Sequence, residues 1–180
     1  MSPNKYLESF LEGRQPGRIL FPAEGEGRNS VFAASVGWQA DAFDQSEAGR
    51  DKAIRLASSK NCSINYSISS LEDWDPKGVT YDCIALIFVH LVPGIRKTIH
   101  QKMISALKPG GILLLEAFTK KQMPRTSGGP KNLELLFDAE DLQSDFAKLE
   151  TVEFNETQVV LDEGPLHQGL ADVVRLIARK

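Results

Sequence analysis

The sequence predicts an α/β fold built on a mostly parallel sheet, and three features carry that reading. From Arg18 to Phe118, short apolar runs alternate with longer stretches at helical spacing, the signature of parallel strands joined by crossover helices. The run YDCIALIF is apolar on both faces, as a central strand covered by helices on both sides must be. The last two β-like runs, TVEFNETQVVL and GLADVVRLIAR, are separated only by DEGPLHQG, too short for a parallel crossover of a dozen or more residues. They are therefore expected to pair antiparallel and to close the sheet with a terminal hairpin.

Taken in order, PNKYLESFL places Tyr6, Leu7, Phe10 and Leu11 at helical spacing, which predicts a short N-terminal helix over about 3–12 packed on the sheet. The strand candidates are RILFPA, WQADAF, SINYSI, YDCIALIF and GILLLEAF. Between them, NSVFAASV ends at Gly37, and SEAGRDKAIRLASSK opens on Ser46, a good N-cap. Pro93 suits the first turn of a helix whose apolar positions Ile95, Ile99, Met103 and Leu107 recur every four residues until Lys108-Pro109-Gly110-Gly111 stops it. In the last third, Asp138 is a candidate N-cap, with Asp141 at the third position, for a helix running through Leu142, Phe146 and Leu149. No repeat or linker divides the chain, so one domain over 1–180 is expected.

Composition narrows the function classes. The 180 residues carry 21 Lys and Arg against 24 Asp and Glu, a net charge of -3, with no basic block for a nucleic-acid footprint. The two cysteines, Cys62 and Cys83, show no metal-ligand spacing, and on strands that are not neighbours a bridge between them is not expected. Usage this sparse suits a reducing compartment. The N-terminus lacks a signal-peptide pattern and the run IALIFV is too short to span a bilayer, so the chain reads as cytoplasmic, without nucleic-acid or membrane partners and without a metal.

In an open α/β sheet, ligands bind at the carboxyl ends of the strands. After the first strand the chain reads AEGEGRNS, where Gly25 and Gly27 let the backbone turn sharply and approach a ligand, although such a turn also caps a helix that binds nothing. The second strand ends at Asp44, 17 residues beyond Gly27 (44 minus 27), near the offset of about 20 at which a carboxylate accepts hydrogen bonds from a ribose. The alternative is a solvated loop aspartate beside the helix at Ser46. Ser30 stands at the third glycine position of a pyrophosphate loop, and Glu24 and Glu26 bring negative charge to the phosphate site, so NAD and FAD fit poorly. An adenosine with a cationic sulfonium and ammonium fits better, the helix N-terminus remaining free to receive its carboxylate. S-adenosylmethionine has that chemistry.

The segment AEGEGRNSVFAASVGWQADAFDQS resembles the first two motifs of class I S-adenosylmethionine-dependent methyltransferases, above all the small bacterial branch similar to tellurite-resistance and thiopurine methyltransferases. IFVHLVP, ALKPGGILLLEAF, SGGPKNLELL and DEGPLHQGLADVVR extend the likeness over most of the chain. The resemblance implies a Rossmann-like domain with a seven-stranded sheet in the order 3-2-1-4-5-7-6, strand 7 antiparallel, and helices on both faces. It places Ala23, Gly25 and Gly27 along the methionyl part and Asp44 on the ribose, with Gln45 and Ser46 flanking the adenosine. Ser70 and Leu71 would meet the adenine edge, and Phe88 and His90 would lie near the sulfonium. Phe21 and Ala23 depart from the superfamily pattern of an acidic residue and a first glycine, which turns ammonium recognition to backbone carbonyls or Glu24. Arg28 is either a helix-end surface residue or a neighbour of the cofactor carboxylate. The branch usually carries further residues before the PN segment, so an incomplete cap over the site is expected.

The reaction implied is methyl transfer to a small-molecule acceptor by in-line displacement, which rests on positioning and exclusion of water. Should the acceptor need deprotonation, His90 and His167 are the candidate bases, against readings as an aromatic wall and a turn-stabilising residue. His100 is expected on a helix surface, and Trp38 and Trp74 in packing. KKQMPRTSGGP is a candidate substrate-side wall in which Arg125 or Lys120 would attract an anionic acceptor, or else a solvated loop. A non-catalytic nucleoside-binding protein and, less favoured, a nicotinamide-dependent oxidoreductase are the competing classes. The chain would act as a monomer or a homodimer.

Overall fold

A computed structural model describes residues 2–164 and 167–180. The elements run α1 (Lys5–Leu11), β1 (Arg18–Pro22), α2 (Arg28–Ser35), β2 (Gln39–Asp44), α3 (Glu47–Ser59), β3 (Asn65–Ile68), β4 (Tyr81–Ile87), α4 (Pro93–Ala106), β5 (Leu107–Phe118), α5 (Ala139–Asp145), β6 (Glu150–Gly164) and β7 (His167–Arg179). Short 3₁₀ turns occupy 120–122 and 133–135. The strands form one sheet in the order β3-β2-β1-β4-β5-β7-β6. The first five pair parallel, and β7 runs antiparallel to both neighbours. Fold class and terminal hairpin are as the sequence predicts, and the strand order is as the resemblance implies.

The alternation of side chains along each strand builds two apolar layers. On one face Ile19 and Phe21 pack with Tyr6, Leu7 and Phe10 of α1 and Ala33 of α2. On the other, Leu20, Phe43 and Ile84 pack with Ile99 and Met103 of α4 and Leu142 of α5. Trp74 stacks on Phe43 at 5.0 Å and Trp38 is buried, so both tryptophans serve packing.

Local differences have local causes. α5 stops at Asp145 rather than continuing to Leu149, and Asp138 at its N-cap makes no side-chain cap and pairs with Lys120 instead. His100 lies in the core rather than on a helix surface: it is 1% exposed, its Nδ1 lies 2.9 Å from Asp145 Oδ2, and its ring stacks on Phe146 at 4.6 Å. Cys62 precedes β3 instead of lying on it, and both thiols are free. The segment expected to connect the final strands is itself paired up to Gly164 opposite His167, with Pro165 and Leu166 outside the described residues.

That extension shapes the ligand side of the sheet. Phe118, the last residue of β5, pairs with Val173, so residues 167–172 of β7 and their β6 partners project past the carboxyl ends of the parallel strands. At about 3.3 Å per residue the overhang reaches roughly 20 Å. Leu161, Ala171 and Val173 seat it on Phe118 and Leu136. Among the described residues, no helix is long and apolar enough to cross a membrane.

Candidate active site

The carboxyl ends of β2, β1, β4 and β5 lie side by side at one edge of the sheet, with the overhang projecting beyond β5. Between β1 and α2 the backbone enters the left-handed region three times, at Ala23 (φ 51°), Gly25 (φ 64°) and Gly27 (φ 86°). A Cβ added to Gly25 would meet nothing within 4 Å, so this stretch of backbone is open to a ligand. Gly27 faces the other way, onto Ala53 of α3, and Gly49 lies so close to Gly25 that a Cβ there would stand 2.8 Å from its carbonyl oxygen. The Tyr66 hydroxyl donates to that same oxygen at 2.7 Å. Tyr66 and Gly49 thus hold the glycine loop from behind, a role the sequence reading missed because neither belongs to a motif.

Asp44 stands beside the loop at the end of β2. Its Oδ2 accepts from the Gly25 N–H at 3.1 Å and its Oδ1 from the Ser46 N–H at 2.9 Å, which fixes the carboxylate between the two loops. Ser46 caps α3, its hydroxyl accepting from Gly49 N–H at 3.0 Å, and Gln45 lies exposed between Asp44 and that cap. Ser70 turns its hydroxyl to Asp73, and Leu71 packs partly into the core.

Glu24 has a structural role at the start of α2. Gly27, the N-cap of α2, has no side chain to offer, and Glu24 Oε1 takes its place by accepting from the backbone N–H groups of Asn29 (2.9 Å) and Ser30 (2.6 Å). Burial pushes this carboxyl up to about 7, although the Ser30 bonds, Arg28 and the Asn29 N–H pull it down. One carboxyl oxygen of Glu24 is thus committed to the helix it caps. The helix N-terminus is not free for a cofactor carboxylate, since the chain's own acid occupies the position a phosphate would seek. Glu26 pairs with Lys52 outside the loop.

Ala23 occupies the left-handed conformation with a side chain, at a cost of about 1–2 kcal/mol relative to glycine. Because glycine loses about 0.5–1 kcal/mol more backbone entropy on folding, Ala23→Gly is expected to stabilise the protein by about 0.5–1 kcal/mol. A rise in the midpoint of urea unfolding at unchanged slope checks this.

At the ends of β4 and β5 the rings stack: Phe88 on Phe118 at 4.5 Å, Phe88 on His167 at 4.8 Å, and His90 on Phe118 at 5.6 Å. Phe88 holds φ 54°, and its N–H donates to Glu116 O at 2.7 Å. His90 Nδ1 lies 2.7 Å from the Leu135 carbonyl, which can only accept, so Nδ1 carries the proton. His90 Nε2 is then a bare acceptor, buried and without a hydrogen-bond partner among the described residues. Burial pushes His90 down to about 4, and burial with Arg28 nearby pushes His167 to about 4, so both rings are neutral at pH 7. The proposed anion-attracting cations are spent: Arg125 pairs with Asp172 and Lys120 with Asp138. Arg28 is bound by Glu163 at 2.5 Å. Among the described residues no cluster of three His, Cys, Asp or Glu is arranged to hold a metal.

Residues 19–111, just over half of the chain, match the family model described as a methyltransferase domain. The chain belongs to the methyltransferase-domain family. Its fold agrees with that of TehB from Haemophilus influenzae (TM-score 0.80, 19% identity, 98% of this chain and 62% of TehB). It also agrees with a structure described for the conversion of a disulfide bond into a thioacetal group during echinomycin biosynthesis (TM-score 0.84, 12% identity, 99% and 82%). A third likeness is to the N-methyltransferase NodS from Bradyrhizobium japonicum WM9 in complex with S-adenosyl-l-homocysteine (TM-score 0.73, 16% identity, 97% and 84%). The chain thus spans less than two thirds of the length of TehB. No curated protein matches the sequence. Family and fold are those the motifs imply.

Proposed function

We propose that the protein is an S-adenosylmethionine-dependent methyltransferase acting on a small-molecule acceptor. The observation that carries this reading is the pairing of bare Gly25 backbone with the Asp44 carboxylate across the ends of β1 and β2, while Glu24 fills the phosphate position at the start of α2. A nucleoside without phosphate fits that surface, and a dinucleotide does not. When bound, S-adenosylmethionine supplies a methyl group on a sulfonium, ready for in-line displacement. The loop from Ala23 to Gly27 would hold the methionyl part and Asp44 the ribose, with Ser70 and Leu71 at the adenine. The ring stack of Phe88, Phe118 and His167 would exclude water from the reacting atoms and give the acceptor a flat apolar seat. His90, neutral and with Nε2 unprotonated, would accept the proton of an acceptor N–H, O–H or S–H. With Arg125 and Lys120 both paired, an uncharged acceptor suits the site better than an anion.

Calorimetric titration with S-adenosylhomocysteine and with NADH, followed by label transfer from S-adenosyl[methyl-³H]methionine to thiol, amine, hydroxyl and metalloid acceptors, tests the proposal. Tight binding of the first ligand, none of the second, and label transfer sensitive to His90→Phe are expected. A preference for NADH overturns the reading, and binding without transfer to any acceptor assigns the chain to the non-catalytic nucleoside binders.

A further inference from the structure

The hairpin overhang and the glycine loop are joined by a buried polar network that links several of the separate sequence motifs. Glu163, the penultimate residue of β6, has a side chain 1% exposed; its Oε2 takes the Arg28 guanidinium at 2.5 Å and its Oε1 the Asn4 side-chain N–H at 3.0 Å. Asn4 is completely buried, and its amide reaches at the same time to Glu116 Oε1 at 2.6 Å, while Glu116 is itself paired with Arg175 at 2.6 Å. The Asn4 backbone N–H donates to Asn29 Oδ1 at 2.9 Å, so the segment before α1 is tied to the start of α2 as well.

Three separate pieces of chain converge here. Arg28 directly follows Gly27, Asn4 precedes α1, and Glu163 adjoins Gly164, the β6 partner of His167, whose ring stacks on Phe88. We propose that Glu163 is a positioning residue whose bonds to Arg28 and Asn4 lock the overhanging hairpin, the glycine loop and the N-terminal segment together over the methyl-donor site. The proposal rests on the methyltransferase reading above. Its physical basis is that a buried ion pair is costly to break one partner at a time, since the remaining charge is left without solvent or counter-ion. Two carboxylates sharing one amide make the cost collective: the hairpin cannot lift without also stranding Asn4 and Arg28. The N-terminal segment thereby becomes part of the cover over the site, tied to Glu163 by the Asn4 side chain and by the Lys5 N–H at 3.4 Å.

Glu163→Gln and Arg28→Gln, singly and together, test the lock through S-adenosylhomocysteine affinity by calorimetry and amide hydrogen exchange. Each single variant is expected to weaken binding about ten-fold and to speed exchange in residues 159–164 and 167–171 and around 3–12, with β1 and β4 still protected. The double variant should bind no more weakly than the worse single one. Glu156→Gln, which breaks an exposed pair with Lys121 on the same strand, should bind like the parent. A loss below three-fold in a folded single variant, multiplying losses in the double variant, or exchange accelerated throughout the sheet overturns the proposal. Should Glu163→Gln fail to fold, Arg28→Gln, which leaves Glu163 its bond from Asn4, decides by the same three-fold threshold. Failure of the parent protein to bind S-adenosylhomocysteine counts against the methyltransferase reading instead.

Discussion

Asp44→Ala is expected to weaken S-adenosylhomocysteine binding by on the order of 100-fold while the protein stays folded. The carboxylate offers about four acceptor positions. Two are taken by the N–H groups of Gly25 and Ser46, which leaves the others for the two ribose hydroxyls. Hydrogen bonds to a charged group contribute about 1.5–3 kcal/mol each, so losing two costs about 3 kcal/mol or more, the equivalent of two decades in affinity. The alanine variant also releases the Gly25 N–H that holds the glycine loop, which acts in the same direction. Asp44→Asn keeps one carbonyl oxygen and loses the charge, and about a ten-fold loss is expected of it. The side chain belongs to neither apolar layer, and with the Gly25 and Ser46 bonds lost and partly replaced by water, urea unfolding should shift by about 1–3 kcal/mol. Affinity unchanged in the alanine variant would remove the ribose from Asp44 and with it the argument for a nucleoside at this edge.

What the sequence made legible follows from how far apart the interacting residues lie. The parallel sheet could be read because apolar runs and helical spacing are local, and the antiparallel closure because the gap between the last two strands is short. Asp44 and Gly25 could be read because strand ends and glycines mark themselves. Glu24 could not: a glutamate in a glycine loop looks like exposed negative charge until Gly27 is seen to be an N-cap without a side chain. His100 looked like a surface residue because its partners, Asp145 and Phe146, lie 45 and 46 residues away at the end of α5. The network of Asn4, Glu116 and Glu163 joins Asn4 to residues more than 100 positions away, a contact that no periodicity and no single motif encodes. Arg125 and Lys120 were placed in the right loop but not with their acidic partners, because pairing depends on the register of β7 and the start of α5.

Gly27→Ala is expected to destabilise the protein by about 2–5 kcal/mol and to abolish cofactor binding, whereas Gly25→Ala, two residues earlier, should cost only about 1–2 kcal/mol of stability and still prevent binding. Both glycines hold positive φ, so the backbone penalty of about 1–2 kcal/mol is common to the two variants. They differ in what a methyl group meets. At Gly27 it would fall on Ala53 Cβ and stand 2.8 Å from Ala53 Cα, and because the latter is backbone of α3, either the helix or the loop must move. Overpacking of that kind adds about 1–3 kcal/mol. At Gly25 it would meet nothing within 4 Å, so the chain can accept it; what it fills is the space assigned to the ligand. Ala53→Gly in the Gly27→Ala background removes the Cβ contact but not the one to Cα, and should restore part of the stability without restoring positive φ at no cost. Urea unfolding and S-adenosylhomocysteine titration, run on both single variants, separate the glycine that packs from the glycine that binds. Equal stability losses at the two positions would mean that α3 yields freely. Binding retained in Gly25→Ala would mean that the ligand does not lie against this loop.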